Sequence, residues 1–265
     1  MNKTKTAELQ KTILTRYNKE WRKLPRRETK DPYAIHISEV MSQQTQVDRV
    51  IPYRNKWMKE IPDYNTLAKL SKINLLTYRS WLWFNSRAIR LQECAKQIIE
   101  QYNWILPHNK EALLSLPWIG PYTASAICSF ARNLPEPVID TNIRRVLIFI
   151  LKLPENISDK ELEKIAKDLI PEWKSRDWHN ALMDYWAIHL TARKTKIKSK
   201  GKQSKFEGSD REVRGRIIKQ ITKTKQPLYI KKIQEEFPNK NITKILDELK
   251  KENIIKEQEW YINIV

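Results

Sequence analysis

LPWIGPYTASAICSFARNLPEPVIDTN, residues 116 to 142, is the stretch from which the fold can be read. It opens on an apolar turn, Leu116-Pro117-Trp118-Ile119-Gly120. Pro121 then stands at the first position of a helix whose small and apolar residues run to Phe130. Pro137-Val138-Ile139 leads into Asp140, a carboxylate that closes one apolar run and opens another helix. A turn that directs backbone N–H groups outward through a helix N-terminus can seat a phosphate. A carboxylate 20 residues beyond Gly120 can then face whatever that phosphate belongs to. The plainer reading is a helical hairpin in which Asp140 is an ordinary N-cap. These residues alone leave both readings open.

Outward from this stretch, nearly every segment up to residue 192 has helical rather than alternating period. Helices are predicted over 6–20, from Pro32 through Glu39, and over 46–61, 73–82, 87–102, 110–116, 121–132, 141–153, 158–170 and 178–190. Pro52, Pro62, Pro107, Pro135 and Pro171 punctuate them. Residues 193–205, RKTKIKSKGKQSK, carry seven positive charges and no acid. They read as a solvated linker, as an arm on phosphates, or as both. From Phe206 the pattern restarts, with helices over 210–221, 230–237 and 242–251 and then a hairpin on Ile254-Ile255 and residues 260–264. Three helices and a hairpin are the order of a winged helix. The expected layout is therefore mainly α: a helical domain over 1–192, a basic linker over 193–205 and a winged-helix-like domain over 206–265.

At 265 residues there is room for one large or two modest domains and a real core. A net charge of +19 and a pI near 9.8 favour a polyanionic partner, most simply nucleic acid. Residues 206–265 hold thirteen basic and ten acidic side chains, so +16 of the charge lies on residues 1–205. For the terminal segment a clamp or protein-docking role thus competes with DNA contact. No run approaches the ~18 apolar residues of a membrane span, and MNKTKTAELQ has no apolar signal core. A soluble, cytoplasmic protein without a membrane partner is expected. Cys94 and Cys128 are too few for a disulfide framework or a four-cysteine metal site, and are expected to be core thiols.

LPxxGxYTAxAI followed by VIDTNIRRVL resembles the helix-hairpin-helix and carboxylate segment of the DNA glycosylases related to endonuclease III. Upstream, Asp31-Pro32-Tyr33, then ISEVMSQQTQV from Ile37 to Val47, then Ile51-Pro52-Tyr53 resemble the adenine-specific, MutY-type branch. The similarity runs from about residue 8 to 192. It implies a two-lobed helix-hairpin-helix glycosylase core ahead of the winged helix. It also implies excision of adenine mispaired with guanine or 8-oxoguanine in double-stranded DNA, by a nucleoid-associated monomer. Two rivals remain: a thymine or uracil mismatch glycosylase on the same fold, and a DNA-binding protein that has lost catalysis.

Breaking an N-glycosidic bond to a purine requires a proton on the leaving base and stabilisation of positive charge on the sugar. Two carboxylates in unlike environments can divide that work. Glu39, set among Ile37, Val40 and Met41, is expected to be partly buried with a raised pKa. Taken alone it would be a half-exposed helix glutamate. Asp140 is expected to be held as an anion by a helix N-terminus. The resemblance implies that Glu39 is the general acid, Asp140 the stabiliser of the oxocarbenium-like state, Asn142 an assistant to the carboxylates and Tyr122 a neighbour of the sugar. Strand-cutting relatives carry a Schiff-base lysine where Tyr122 stands, so a monofunctional enzyme is implied. DNA contacts are carried over to Gln43, Gln44 (the wedge that fills the gap left by a flipped base), Thr45, Ile119, Gly120, Tyr122 and Thr123.

Several departures bear on this resemblance. Leu190 stands at the first cysteine of the family's iron–sulfur loop and 193–205 replaces the rest, so no cluster is expected. No metal ligand set is expected either, although a monovalent cation could sit at the hairpin. FEGSDREVRGRI resembles the start of a C-terminal extension in some MutY-type enzymes. The winged helix nevertheless replaces the domain that reads 8-oxoguanine, which leaves adenine excision better supported than recognition of the oxidised partner. Arg26 and His36 stand where tryptophans are usual.

Four glycines are present where ~7% usage would give roughly 18, against ten tryptophans. Trp118 occupies the family's first hairpin glycine, Trp81 and Trp83 fall on a GLGY-type turn, and Trp186 on an MDLGA motif. Trp104, Trp173 and Trp260 sit in turn-like contexts. A hairpin turn approached by a phosphate favours a residue with no side chain. Compensating changes in a divergent enzyme, or an impaired hairpin, are one explanation. The expectation is instead that codon UGA, read here as tryptophan, means glycine in the source organism.

Overall fold

The computed structural model describes residues 2–43, 45–78, 85–190, 192–198 and 205–265. In chain order its helices are α1 (Lys3–Glu20), α2 (Pro32–Ser42), α3 (Val47–Glu60), α4 (Tyr64–Lys69), α5 (Lys72–Thr77) and α6 (Asn85–Tyr102). There follow α7 (Lys110–Ser115), α8 (Pro121–Arg132), α9 (Thr141–Leu151), α10 (Asp159–Asp168), α11 (Ser175–His189) and the short α12 (Ala192–Thr195). The last segment runs α13 (Asp210–Thr224), β1 (Leu228–Tyr229), α14 (Ile230–Glu236), α15 (Ile242–Lys251), β2 (Ile255–Gln258) and β3 (Tyr261–Ile264). Short polar residues start many of these helices by accepting an N–H from the first turn. Asn2 does so for α1, Asp63 for α4, Ser71 for α5, Asn109 for α7 and Asp140 for α9. Ser158 and Glu161 form a reciprocal capping box on α10.

The chain divides into two compact units, residues 1–39 with 106–202 and residues 40–105 with 203–265. In the first, α1 and α9 pack on α11, and α8 packs on α7 and α11. Its core joins Ile13 of α1, Ile143, Val146 and Leu147 of α9, Leu162 of α10, and Trp178 and Leu182 of α11. Ile197, inside the stretch expected to be a linker, is buried in this core, and the Arg145 Nε donates to its carbonyl at 3.1 Å. In the second unit α4 and α5 lie against α6, and α5 also meets α13. Lys72 Nζ of α5 donates to the Asn253 carbonyl at 3.0 Å, tying the helical part to the C-terminal segment. The sheet has the order β1-β3-β2, all antiparallel, with Leu228 opposite Ile262 and Ile255 opposite Ile264.

Several details differ from the sequence expectation. Helix α4, strand β1 and α12, which runs into the expected linker, are additional, being six, two and four residues long. The helix expected over 141–153 stops at Leu151 because Lys152 takes the left-handed conformation. The helix expected over 73–82 is described only to Thr77, and residues 79–84 lie outside the described part. Cys94 and Cys128 are both free and buried. No described helix is long and apolar enough to cross a membrane.

Candidate active site

Glu39 rides on α2, whose first turn is capped by Asp31: its two carboxylate oxygens accept the N–H groups of Tyr33 and Ala34 at 3.1 Å. Ile35, Ile37, Val40 and Met41 are all buried, so this helix is covered around most of its girth and Glu39 is only 3% exposed. That is more complete burial than the sequence suggested. Both oxygens of the buried carboxylate are engaged. Tyr122 Oη donates to Oε2 at 2.8 Å, and Arg26 Nη1 donates to Oε1 at 2.9 Å. Arg26 comes from the one-turn 3-10 helix Pro25–Arg27, and its guanidinium lies 5.5 Å over the Phe130 ring. Burial above all, with the Glu39 and Asp140 carboxylates beside it, pushes the Tyr122 phenol well above its usual range. Tyr122 therefore stays a hydrogen-bond donor at working pH.

Asp140 is the N-cap of α9, its Oδ1 accepting the Ile143 N–H at 2.6 Å. Burial pushes its pKa up, against the pull of the Ile143 and Asn142 N–H groups; Glu39 adds to the rise and Arg26 opposes it. The helix N-terminus acts in the direction expected from sequence, but desolvation outweighs it. The extended segment ahead of Asp140 is fastened by His179 of α11. The Val138 N–H donates to Nε2 at 3.0 Å, which puts the ring proton on Nδ1, 2.7 Å from the Ser175 carbonyl. Burial lowers the pKa of this imidazole from 6.5 to about 4. Nearby, Asp184 is gripped by Arg22 and Arg27 at 2.6 Å each, and these partners hold its pKa down against burial.

The hairpin turn runs from Leu116 to Ile119, whose N–H donates to the Leu116 carbonyl at 3.4 Å, with Trp118 at φ 67°. Gly120 caps α8, Pro121 is its first residue, and Ala124 makes the first intrahelical bond back to Gly120. The N–H groups of Tyr122 and Thr123 precede that bond, as an anion seat requires. Ile119 and Thr123 are buried, while Gly120 is exposed.

Of the residues expected at the site, Glu39, Tyr122 and Asp140 come together in the first unit. Asn142 is half-buried in the first turn of α9, and its side chain makes no hydrogen bond among the described residues. Gln43 is exposed and Thr45 half-buried, both in the second unit, and Gln44 lies outside the described residues. Sequence reasoning missed two groups. Arg26 was legible only as a departure, because nothing in the spacing of 26 and 39 shows that they pair. His179 reads in WHNALMD as one more helix-interior residue.

A buried glutamate tied to a tyrosine, an N-capping aspartate and a helix-hairpin-helix turn define a helix-hairpin-helix protein with a two-carboxylate centre. Residues 37–172 match the model of the "HhH-GPD superfamily base excision DNA repair protein" family, and the chain belongs to that family. It is 37% identical over 182 residues to the adenine DNA glycosylase of Buchnera aphidicola, which covers 67% of this chain and 51% of that protein. With the adenine DNA glycosylase of Mycolicibacterium smegmatis it shares 32% over 239 residues, 82% of this chain and 81% of the relative. A thermostable thymine-DNA glycosylase structure superposes with TM-score 0.68 at 31% identity, covering 72% of this chain and 90% of that one. An endonuclease III–DNA complex shares the fold at TM-score 0.64 and 20% identity.

Proposed function

We propose that the chain is a monofunctional DNA N-glycosylase that removes adenine mispaired with guanine or 8-oxoguanine from double-stranded DNA and leaves an abasic site. The observation that carries this reading is the Glu39 carboxyl, buried with Tyr122 and Arg26 on its two oxygens, with the N-capping Asp140 near enough to act electrostatically on Tyr122. In the proposed reaction Glu39 delivers a proton to a ring nitrogen of the extruded adenine. The C1′–N9 bond then breaks with its electron pair leaving on the base. The Asp140 carboxylate, fixed by the Ile143 N–H, faces the positive charge that develops on the sugar. Water adds at C1′ and gives up a proton, completing the abasic site. Tyr122 offers a phenol where Schiff-base formation needs an amine, so the strand stays intact. Residues 119–123 are proposed to meet a DNA phosphate, with or without a monovalent cation at the turn, and Gln43 to Thr45 to fill the gap left by the flipped base.

The residues do not fit an iron–sulfur cluster. Cys94 and Cys128 are the chain's only cysteines, and burial pushes their thiols up to about 12 and about 11. A second reading, thymine or uracil mismatch excision, is favoured by the similarity to the thermostable thymine-DNA glycosylase. A "Thymine/uracil-DNA glycosylase" of Methanothermobacter thermautotrophicus, 32% identical over 194 residues, supports it too. Incubation with duplexes carrying A:8-oxoG, A:G, T:G and U:G, followed by alkali, separates the two. Strand scission confined to the adenine-bearing strands is expected; scission at T:G or U:G alone would replace adenine with a pyrimidine.

A further inference from the structure

The Arg26–Glu39 ion pair is largely withdrawn from water, with side chains 12% and 4% exposed, for a reason that stability does not supply. A buried ion pair seldom repays its desolvation, and an apolar side chain of similar size would avoid that cost. The Nε of Arg26 is also buried without a hydrogen-bond partner, a further penalty. Three other orphaned polar atoms, the Nε atoms of Arg27 and Arg176 and the Oδ1 of Asn180, belong to residues that line the same cavity beside Glu39. At about 10 Å³ it has room for one water molecule. The Phe130 ring lies against the guanidinium, its centroid 5.5 Å from Arg26 Cζ.

Resting on the glycosylase reading above, we infer that Arg26 is a positioning residue: it fixes the Glu39 carboxyl through Oε1. With Tyr122 on Oε2 and Arg26 on Oε1, the carboxyl plane is set before the base arrives.

The test is a double-mutant cycle under single-turnover conditions with saturating enzyme. Arg26→Gln is expected to slow base release at least ~10-fold while the duplex Kd moves less than ~3-fold. Arg26→Lys keeps a charged donor for Glu39 but lacks the planar fork, and should recover part of the rate. In a Glu39→Gln background, Arg26→Gln should cost less than ~3-fold, because a residue acting through Glu39 has nothing left to position. Arg26→Gln at the parent rate, or an equal loss in both backgrounds, overturns the inference. Should Arg26→Gln fail to fold by circular dichroism, Arg26→Lys decides, and a lysine variant at full rate overturns it as well. The parent protein in the same assay tests the substrate reading separately. If it releases thymine or uracil, that reading fails, and the cycle is run on the released base.

Discussion

Asp140 combines a structural and a chemical task in one side chain, and substitution can separate them. Asp140→Asn retains an oxygen for the Ile143 N–H, so α9 keeps its cap while the charge facing the sugar is lost. Single-turnover excision should fall at least ~100-fold with duplex affinity nearly intact, and Glu39→Gln should do the same through the lost proton. Excision by Glu39→Gln at the parent rate would remove base protonation from the mechanism. At Tyr122 the expectation is negative: borohydride should trap no enzyme–DNA adduct, and a trapped adduct with nicking before alkali would sink the monofunctional assignment. His36 and His179 make a third residue-scale prediction. Burial lowers both to about 4, so between pH 6.5 and 4 the unfolded chain binds protons that the native protein does not. Their contribution to stability is complete above pH 6.5 and is lost as pH falls toward 4, by up to about 3 kcal/mol each. Asp140, raised by burial, contributes with the opposite sign. A thermal midpoint that does not drop between pH 6.5 and 5 would contradict buried neutral histidines.

At the scale of elements, what was legible depended on whether the signal is local. Caps and breakers are local, so α8 between Pro121 and Arg132, α9 starting after Asp140, and the three helices and hairpin of the last segment could be read directly. Helix α4 is six residues long, fewer than two turns, and gives no periodicity to count. Strand β1 has two residues and exists only because β3 pairs with it. Pairing across the chain left no trace in the spacing: Arg26 with Glu39, His179 with Val138 and Lys72 with Asn253 are set by packing. The basic stretch 193–205 shows the same division. Its charge was evident, but Ile197 proves to be an anchor in the core of the first unit, so part of the stretch is not free chain. Changing its seven Lys and Arg residues to Gln, with Ile197 kept, should weaken duplex binding. The salt slope should fall by about 0.9 for each phosphate that the segment no longer neutralises. An unchanged slope would leave the segment a tether.

Across the whole molecule, five of the described tryptophans form two contrasting groups. Trp57 and Trp178 are core residues, 0% and 1% exposed. Trp104, Trp118 and Trp173 are exposed by more than half, and each has φ between 58° and 67°. All three occupy the third position of a hydrogen-bonded turn, closed by Ile105 to Tyr102, Ile119 to Leu116 and Lys174 to Pro171. In the first turn Asn103 also has positive φ, the pattern that Asn-Gly satisfies in a type I′ turn. In the second, Pro117 precedes Trp118 as proline precedes glycine in type II. A bulky residue in the left-handed region is a genuine outlier, at roughly 1–2 kcal/mol each, and three in one chain that holds four glycines are not independent accidents. Trp186, inside α11, carries no such backbone requirement, Trp260 is not among the residues with positive φ, and Trp81 and Trp83 lie outside the described residues. The expectation is therefore specific by position: codons 104, 118 and 173 are UGA and are translated as glycine in the source organism, whereas codons 57 and 178 are UGG. UGG at the three turn positions would refute it, and peptide masses of the native protein read the same result directly. Expressed with glycine at 104, 118 and 173, the protein should melt higher than the chain as written. With residue 118 reduced to a hydrogen atom beside the exposed N-terminus of α8, it should also bind duplex DNA more tightly.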